Sequence, residues 1–303
     1  MSKQESADAA ALARARHYMG DFAWPTVLLA LATFFGYLAT VALAVTGTLS
    51  LWLATPMIAG LTYCAYTVAH ESVHGCISGS HPRLRWVNEA LGYGAAWIMM
   101  IPLTAHRHEH LAHHRHTNEP EQDPDYHVAQ MRQSPRAALA AALQLLTVQY
   151  RYYLRHRWSK GPLRQNVYLC LEVAAAILPR VALVLAGYWL EAFALFVVGW
   201  SLGIVLLLYL FAYIVHRPHN KVGRYVDTST ILLPGPLQQW LTVAWGYQNY
   251  HSIHHLFPRV PFYRYADLYA DIEPIMLAQG APVYRLTLRG LVENGGGQSG
   301  QPA

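Results

Sequence analysis

The run "HRHEHLAHHRHTN", residues 106–118, holds six of the chain's seventeen histidines. Imidazole nitrogen is a ligand for zinc, copper, iron and nickel. A histidine run can also be a solvated, metal-sticky tract without a defined site. The spacing elsewhere in the chain points away from that reading. "HESVHG" places His70 and His74 four residues apart, on one helix face. "NYHSIHHLFP" places His251, His254 and His255 on one face at i, i+3 and i+4. Within the opening run, His110, His113 and His114 repeat the same H-x-x-H-H spacing. At about 100° per residue, His108 points to the opposite side and His116 lies off the shared face. His106 stays on the face but outside the repeat, as an outer group. "YIVHRPHN" adds His216. The nine expected metal ligands are therefore His70, His74, His110, His113, His114, His216, His251, His254 and His255. Adjacent histidines diverge by about 100° on a helix, so each member of a pair serves a different metal. Two metals in one cavity, with coordination left for water or oxygen, fit this set. Glu71, Glu109, Asp123 and Asp125 are expected to orient ring N–H groups, as metal-bound histidines usually require. His81, His127, His156 and His219 read as surface or outer residues.

The elements that carry these boxes are membrane elements. The 303 residues are 54% hydrophobic and 13% charged, about half the charge of an ordinary soluble domain (~25%). Four apolar runs, 24–45, 49–69, 167–190 and 192–215, each approach the ~20 residues needed to cross a bilayer. "TGT" between the first two leaves room only for a hairpin. The third run carries Glu172, Pro179 and Arg180, with Arg180 expected to pair inside the bundle. Residues 90–103 are apolar but short, and read as a half-span. Residues 231–247 read as an interfacial piece. The first run is too long for a secretory signal and is followed at once by a second span. Of the 22 Lys and Arg, three lie before the first span, eleven between residues 72 and 165, and seven after residue 215. The two hairpin tips have none, so the positive-inside rule makes both termini and the central segment cytoplasmic. Cys64, Cys76 and Cys170 have neither pairing nor metal spacing and read as reduced packing residues.

The expected fold class is all-α and integral to the membrane. Four transmembrane helices form two hairpins, and a cytoplasmic helical cap carries the histidine boxes. Residues 1–23 form an N-terminal arm whose alanine-rich part reads as a surface helix. Residues 24–290 form one domain, and 291–303 a disordered tail.

"HESVHG", "HLAHHRHTNEPEQDPD", "YIVHRP" and "GYQNYHSIHHLFPRVPFYRY" resemble the membrane fatty-acid-desaturase superfamily of histidine-box di-iron proteins, over about residues 24–274. Within it the chain looks most like bacterial and cyanobacterial β-carotene hydroxylases, the aromatic, proline and Tyr–Arg–Tyr positions after the last box being the most specific. The boxes themselves are shared by acyl-lipid desaturases, carotenoid ketolases and alkane hydroxylases. The chain departs from the pattern in its extra His106 and His108, in glutamate rather than aspartate in "HESVHG", and in Ala212, where relatives often carry a polar residue four positions before the span-four histidine. The resemblance implies two iron ions as cofactor, O2 as co-substrate, and attack on unactivated C–H bonds of a lipidic substrate. Hydroxylation of a carotenoid-type ring is the leading expectation. Acyl-lipid desaturation and carotenoid ketolation are the alternatives within the enzyme class.

No residue beyond the metal ligands is expected to be catalytic. The substrate is expected to enter laterally between the spans, with Tyr93, Trp97 and Met99 as a wall. The sequence has no C-x-x-C cluster, dinucleotide fingerprint or fused haem domain, so a separate donor such as ferredoxin with its reductase is implied. Membrane lipids are the other partners; nucleic acid is not. A bacterial inner-membrane location, with the active site cytoplasmic, is expected. The non-enzymatic alternative is a histidine-rich metal sensor or transporter. A transporter would place polar residues near the bilayer midplane, whereas here they gather at the span ends.

Overall fold

The structure, a computed structural model, describes residues 3–294. An N-terminal helix, α1 (Lys3–Ala15), leads to α2 (Trp24–Val45) and α3 (Leu51–His74). Then come α4 (Arg85–Met99), α5 (Leu103–His116), α6 (Pro135–Leu145) and α7 (Val148–His156). The second long pair is α8 (Leu163–Leu185) and α9 (Trp189–Tyr213). A three-residue strand β1 (Thr230–Leu232) precedes α10 (Gln238–Ala244), α11 (His251–Leu256) and α12 (Tyr265–Ala278). Strands β2 (Val283–Thr287) and β3 (Gly290–Glu293) close the described chain.

Helices α2, α3, α8 and α9 are the four that are long and apolar enough to span a bilayer. Only 17% to 44% of the most apolar window of each is buried within the protein. Their outer faces show Phe35, Trp52, Leu178 and Val205, as lipid contact requires. The bounds differ slightly from those read off hydropathy. Helix α3 continues past the apolar run through His70 and His74 and stops at Gly75, whose φ is 71°. Cys76 N–H reaches back to the Glu71 carbonyl, the left-handed turn that glycine allows at a helix end. The glycine of "HESVHG" thus fixes both histidines on the last turn of the span.

Helix α4, 15 residues and ~22 Å long, is too short to cross. It packs against α2 and α3, as expected of a half-span. Its last carbonyls point into the bundle, where buried Arg180 of α8 answers them. The guanidinium donates to the Trp97 carbonyl and to Tyr37 Oη, both at 3.0 Å. It also lies over the Trp97 ring at 4.8 Å. An intramembrane cation is expensive unless satisfied in this way.

Helix α9 lies against α3 through Gly199 and Gly203, one turn apart. A Cβ at Gly203 would sit 2.8 Å from the Ala59 carbonyl oxygen, and one at Gly199 2.9 Å from that of Thr55. Small residues four apart allow this backbone approach. The seam sets the height at which α9 delivers His216 beside His113 and His255. Two stretches of α9, Ala194–Gly199 and Leu208–Tyr213, wind as wider π-turns, a feature frequent near functional sites.

Two parts differ from the sequence expectation. Strands β1, β2 and β3 form a small sheet, with β1 and β2 parallel and β2 and β3 antiparallel. Residues 291–293 of the expected tail are therefore strand; residues 295–303 of it lie outside the described residues. The N-terminal arm does form a helix, and it is docked. Ala11 and Ala15 are buried with residues of α12, and Tyr18 Oη donates to Asp271 at 2.6 Å.

Replacing Gly203 by valine forces α9 away from α3. Overpacking of this kind costs about 1–3 kcal/mol. The detergent-solubilised Gly203→Val protein is expected to melt several degrees lower than wild type; an unchanged midpoint would mean that the seam adjusts freely.

Candidate metal centre

The nine histidines converge from four places. α3 brings His70 and His74 on its final turn, and α5 brings His110, His113 and His114. The end of α9 brings His216, and α11 brings His251, His254 and His255. Eight of the nine fall into two groups in which one ligand atom per residue lies within 4.8 Å of the others. One group is His70, His74, His110, His114 and His254; the other is His113, His216 and His255. Both adjacent pairs, His113–His114 and His254–His255, are split between the groups, as divergence around a helix requires. His251 belongs to neither group. Its ring lies 4.8 Å from those of His216 and His255, and its Nδ1 faces Gln248 Oε1 at 2.9 Å. His106 packs beside His110 and its Nδ1 faces Glu109 Oε2 at 3.2 Å. His108 turns away to Gln165 and Tyr153, and His116 to Glu119.

The hydrogen positions of the second group follow from its partners. His113 Nδ1–H donates to the Asp123 carboxylate at 2.8 Å. His216 Nδ1–H donates to the Ala212 carbonyl at 2.6 Å. Thr117 gives its own hydrogen to the His113 carbonyl, so its oxygen accepts from His255 Nδ1–H at 3.3 Å. Each ring has given its Nδ1 hydrogen to an acceptor, which leaves the Nε2 lone pair for the centre. His113 Nε2 and His216 Nε2 nevertheless stand 3.0 Å apart. Two lone pairs at that distance repel unless a proton or a metal ion lies between them, and the first makes this contact an N–H···N hydrogen bond from His113. Two nitrogens each about 2.1 Å from one ion and at right angles around it would be about this far apart.

The first group makes the same case. His70 has both ring nitrogens buried without a partner. Nε2–Nε2 contacts of 3.0 Å (His110–His74), 3.1 Å (His114–His110) and 2.8 Å (His254–His114) run through the set. A buried polar atom left unpaired costs about 1–3 kcal/mol, and five imidazoles share one pocket. This donor set fits a metal ion, and both groups can hold one.

The electrostatics agree. Burial and the crowding of other imidazoles push His110, His114, His254 and His255 well below the usual histidine range, so they stay neutral, the form in which imidazole can bind a metal. His216 is pushed down to about 3, by burial first and by His113 next. His113 is the exception. Burial alone would lower it, but the charge and hydrogen bond of Asp123 carry it up to about 10. Asp123 is held below the usual range by His113, against burial. This corner of the site favours a positive charge, which a proton or a metal ion can supply.

Of the four carboxylates expected to orient the rings, only Asp123 hydrogen-bonds a histidine of the two groups. Asp125 stands 3.9 Å from His113 Nδ1, and Glu109 serves His106. Glu71 does something else: it accepts from Thr26 Oγ1 at 3.4 Å and from the Phe262 N–H at 3.2 Å. It ties α3 to α2 and to the segment after the last box. The orienting groups not foreseen are Gln248, Thr117, Tyr265 and the Ala212 carbonyl. Tyr265 Oη lies 3.0 Å from His254 Nδ1. Of these, Gln248 and Thr117 sit one helical turn from a histidine, and Tyr265 ends the Tyr–Arg–Tyr sequence.

A cavity of about 310 Å3 opens between the boxes and the spans. Met99, Ile101, Leu146, Trp200, Ile204 and Leu207 form part of its wall. Met99 is thus where a substrate wall was expected. Tyr93 and Trp97 are not; they line a separate pocket with Glu172 and Ala175.

The family model for fatty acid desaturases matches residues 46–287. The chain belongs to the fatty acid desaturase family. Among curated relatives, fatty acid conjugase FAC2 A of Calendula officinalis is 24% identical over 242 residues, covering 67% of this chain and 63% of the conjugase. The chain thus spans less than two thirds of that relative's length. β-Carotene ketolase of Paracoccus sp. (strain N81106 / MBIC 01143) is 26% identical over 228 residues, covering 70% of this chain and 77% of the ketolase. The chloroplastic omega-3 fatty acid desaturase of Ricinus communis is 22% identical over 259 residues, covering 74% and 55%.

Because Asp123 holds His113, Asp123→Asn should weaken metal binding by about 10–100-fold in competition against a chelator. Metal uptake at neutral pH should also release a proton, since His113 alone stays protonated up to about pH 10. His108→Ala should bind metal as wild type does. Equal affinity in wild type and Asp123→Asn would remove Asp123 from the site.

Proposed function

We propose that the protein is an O2-dependent di-iron membrane oxidoreductase acting on an unactivated C–H bond of a lipidic substrate, and that the substrate is a carotenoid-type hydrocarbon that becomes hydroxylated. The observation that carries this reading is the pair of imidazole groups together with a largely apolar cavity whose wall includes His106 and Glu109, on the helix that carries His110, His113 and His114. A nitrogen-rich donor set suits iron among other metals; family membership favours iron over the rest. The names of the relatives support two substrate classes. The ketolase supports a carotenoid ring, and the conjugase and desaturase support an acyl chain. The stretch "HLFPRVPFYRY" after the last box favours the ring.

In this scheme His70, His74, His110, His114 and His254 hold one iron, and His113, His216 and His255 hold the other, with His251 completing the second set. The bound metals would supply O2 activation for C–H oxidation. The chain does the rest. Asp123, Ala212, Thr117 and Tyr265 fix the rings so that Nε2 faces inward. Apolar walls exclude bulk water, which would quench a strong oxidant. The floor of the cavity sets how far a substrate reaches toward the metals, and so which carbon is presented.

The same reading makes residues 24–290 one catalytic unit in a bacterial inner membrane, with both termini and the site on the cytoplasmic side. That orientation follows the positive-inside rule. Electrons come from a separate ferredoxin-type donor and its reductase.

Expression in a bacterial host that accumulates β-carotene and supplies ferredoxin-type electrons tests this. Mass spectrometry of carotenoids and fatty acids together is expected to show carotenoids gaining one or two oxygens as alcohols, with acyl chains unchanged. His110→Ala should abolish the change while still inserting in the membrane. Acyl chains two mass units lighter, with carotene untouched, would assign a desaturase. Ketones in place of alcohols would assign a ketolase.

A further inference from the structure

Glu172 lies within the span α8 and outside both imidazole groups, yet an ionisable side chain in a membrane segment is expensive to keep. Its neighbours give the reason. α4 ends at Met99 and the histidine-bearing α5 begins at Leu103, so residues 100–102 carry the chain from the half-span into the metal ligands. Two helix ends meet there, and each leaves backbone groups without a partner in its own helix. The Ala105 and His106 N–H groups return to the Pro102 carbonyl. Pro102 itself has no side chain able to cap the N–H groups before them. Glu172 does this from the neighbouring span: Oε2 accepts from the Thr104 N–H at 3.2 Å, and Oε1 accepts from the Thr104 hydroxyl. On the other side of the turn, Arg180 donates to the Trp97 carbonyl at 3.0 Å, and Trp200 Nε1–H of α9 donates to the Met99 carbonyl at 2.8 Å. Glu172 and Arg180 are eight residues apart on α8, about 12 Å along its axis. The anion meets the N-terminal end of α5 and the cation the C-terminal end of α4, the signs that the two helix dipoles favour.

We propose that Glu172 is a positioning residue for the metal centre: from within the membrane it fixes the start of α5, and so the height at which His110, His113 and His114 meet the histidines of α3, α9 and α11. His110 follows Thr104 by six residues, about 9 Å along the helix, so a displacement of the first turn is carried to the ring nitrogens. The site leaves little room for that. His110 Nε2 stands 3.0 Å from His74 Nε2, and His113 Nε2 3.0 Å from His216 Nε2. The same turn is also cavity wall. Met99, Met100 and Ile101 line the space together with Val173 and Ile177 of α8. One span therefore holds both the lipid space and the histidine helix, and keeps the two in register.

This inference rests on the histidines holding metal, and the test separates the two. The full-length protein in lipid nanodiscs is titrated with Co2+, whose visible absorption bands respond to the number and arrangement of its ligands. Competition with a chelator gives the affinity. Glu172→Ala should bind Co2+ about tenfold more weakly than wild type, with altered bands. Glu172→Gln, whose amide oxygen can still accept from the Thr104 N–H, should restore the wild-type bands. Leu178→Ala, on the lipid-facing side of the same helix, should match wild type in both readings, which separates loss of the Glu172 contact from a general loosening of α8. No Co2+ binding by wild type would overturn the metal reading, and this inference with it. Wild-type bands and affinity in Glu172→Ala would overturn this inference alone. If Glu172→Ala does not insert in the membrane, Thr104→Val decides, since it removes only the hydroxyl partner: altered bands support the inference and wild-type bands overturn it.

Discussion

An imidazole that has given its Nδ1 hydrogen to a fixed acceptor must present a lone pair at Nε2. That constraint organises the protein. His113, His216 and His255 meet it through Asp123, the Ala212 carbonyl and Thr117, and their free nitrogens are turned inward with nothing but a cation to satisfy them. The rest of the fold makes such an arrangement tolerable. Spans α3 and α9 must end at the same height, which the glycine seam and Gly75 secure. The cap must close over the span ends, which Glu71 and the docked N-terminal helix help to do. A bound metal ion would therefore add to the stability of the site, because eight closely packed imidazoles, five of them buried, compete for few partners without one.

Two dielectric regimes meet at this point. Below the site, α2, α3, α8 and α9 show apolar faces to lipid, and Arg180, buried within α8, is satisfied by carbonyls and aromatic faces. Above it, the cap carries most of the charge. The cavity lies near this boundary, with apolar walls such as Ile204 and Leu207 and ionisable residues such as Glu109 and Asp125 in one lining. His113 shows the result. Burial and a carboxylate pull its proton affinity in opposite directions, and the carboxylate prevails.

The spans and the histidine faces were legible because each has a strong periodic signal: some twenty apolar residues for a span, and i, i+3, i+4 for a box. His108 and His116 were placed correctly by helical rotation alone. The groups that orient the rings were harder to see. Ala212 acts through its carbonyl, which no side-chain pattern reveals, and Glu71 has the residue type of a ring-orienting group but faces α2 and Phe262. His251 fits its box by spacing, yet lies outside both groups, since position on a face does not fix how far a ring reaches. The sheet escaped notice because β1 is three residues long and β3 is half glycine and glutamate, too little for alternation to show. The β1–β2 pairing also joins residues some fifty positions apart.

The Ala212 carbonyl bears on how such a site could change with time. A ligand held by a side chain is lost when that side chain is replaced; one held by the main chain is not. Ala212 also contributes its methyl group to the cavity wall. The carbonyl that steadies His216 and the residue's place in the cavity wall thus belong to one position but serve separable ends. Position 212 is a place where the shape of the cavity can drift while the His216 ring keeps its orientation.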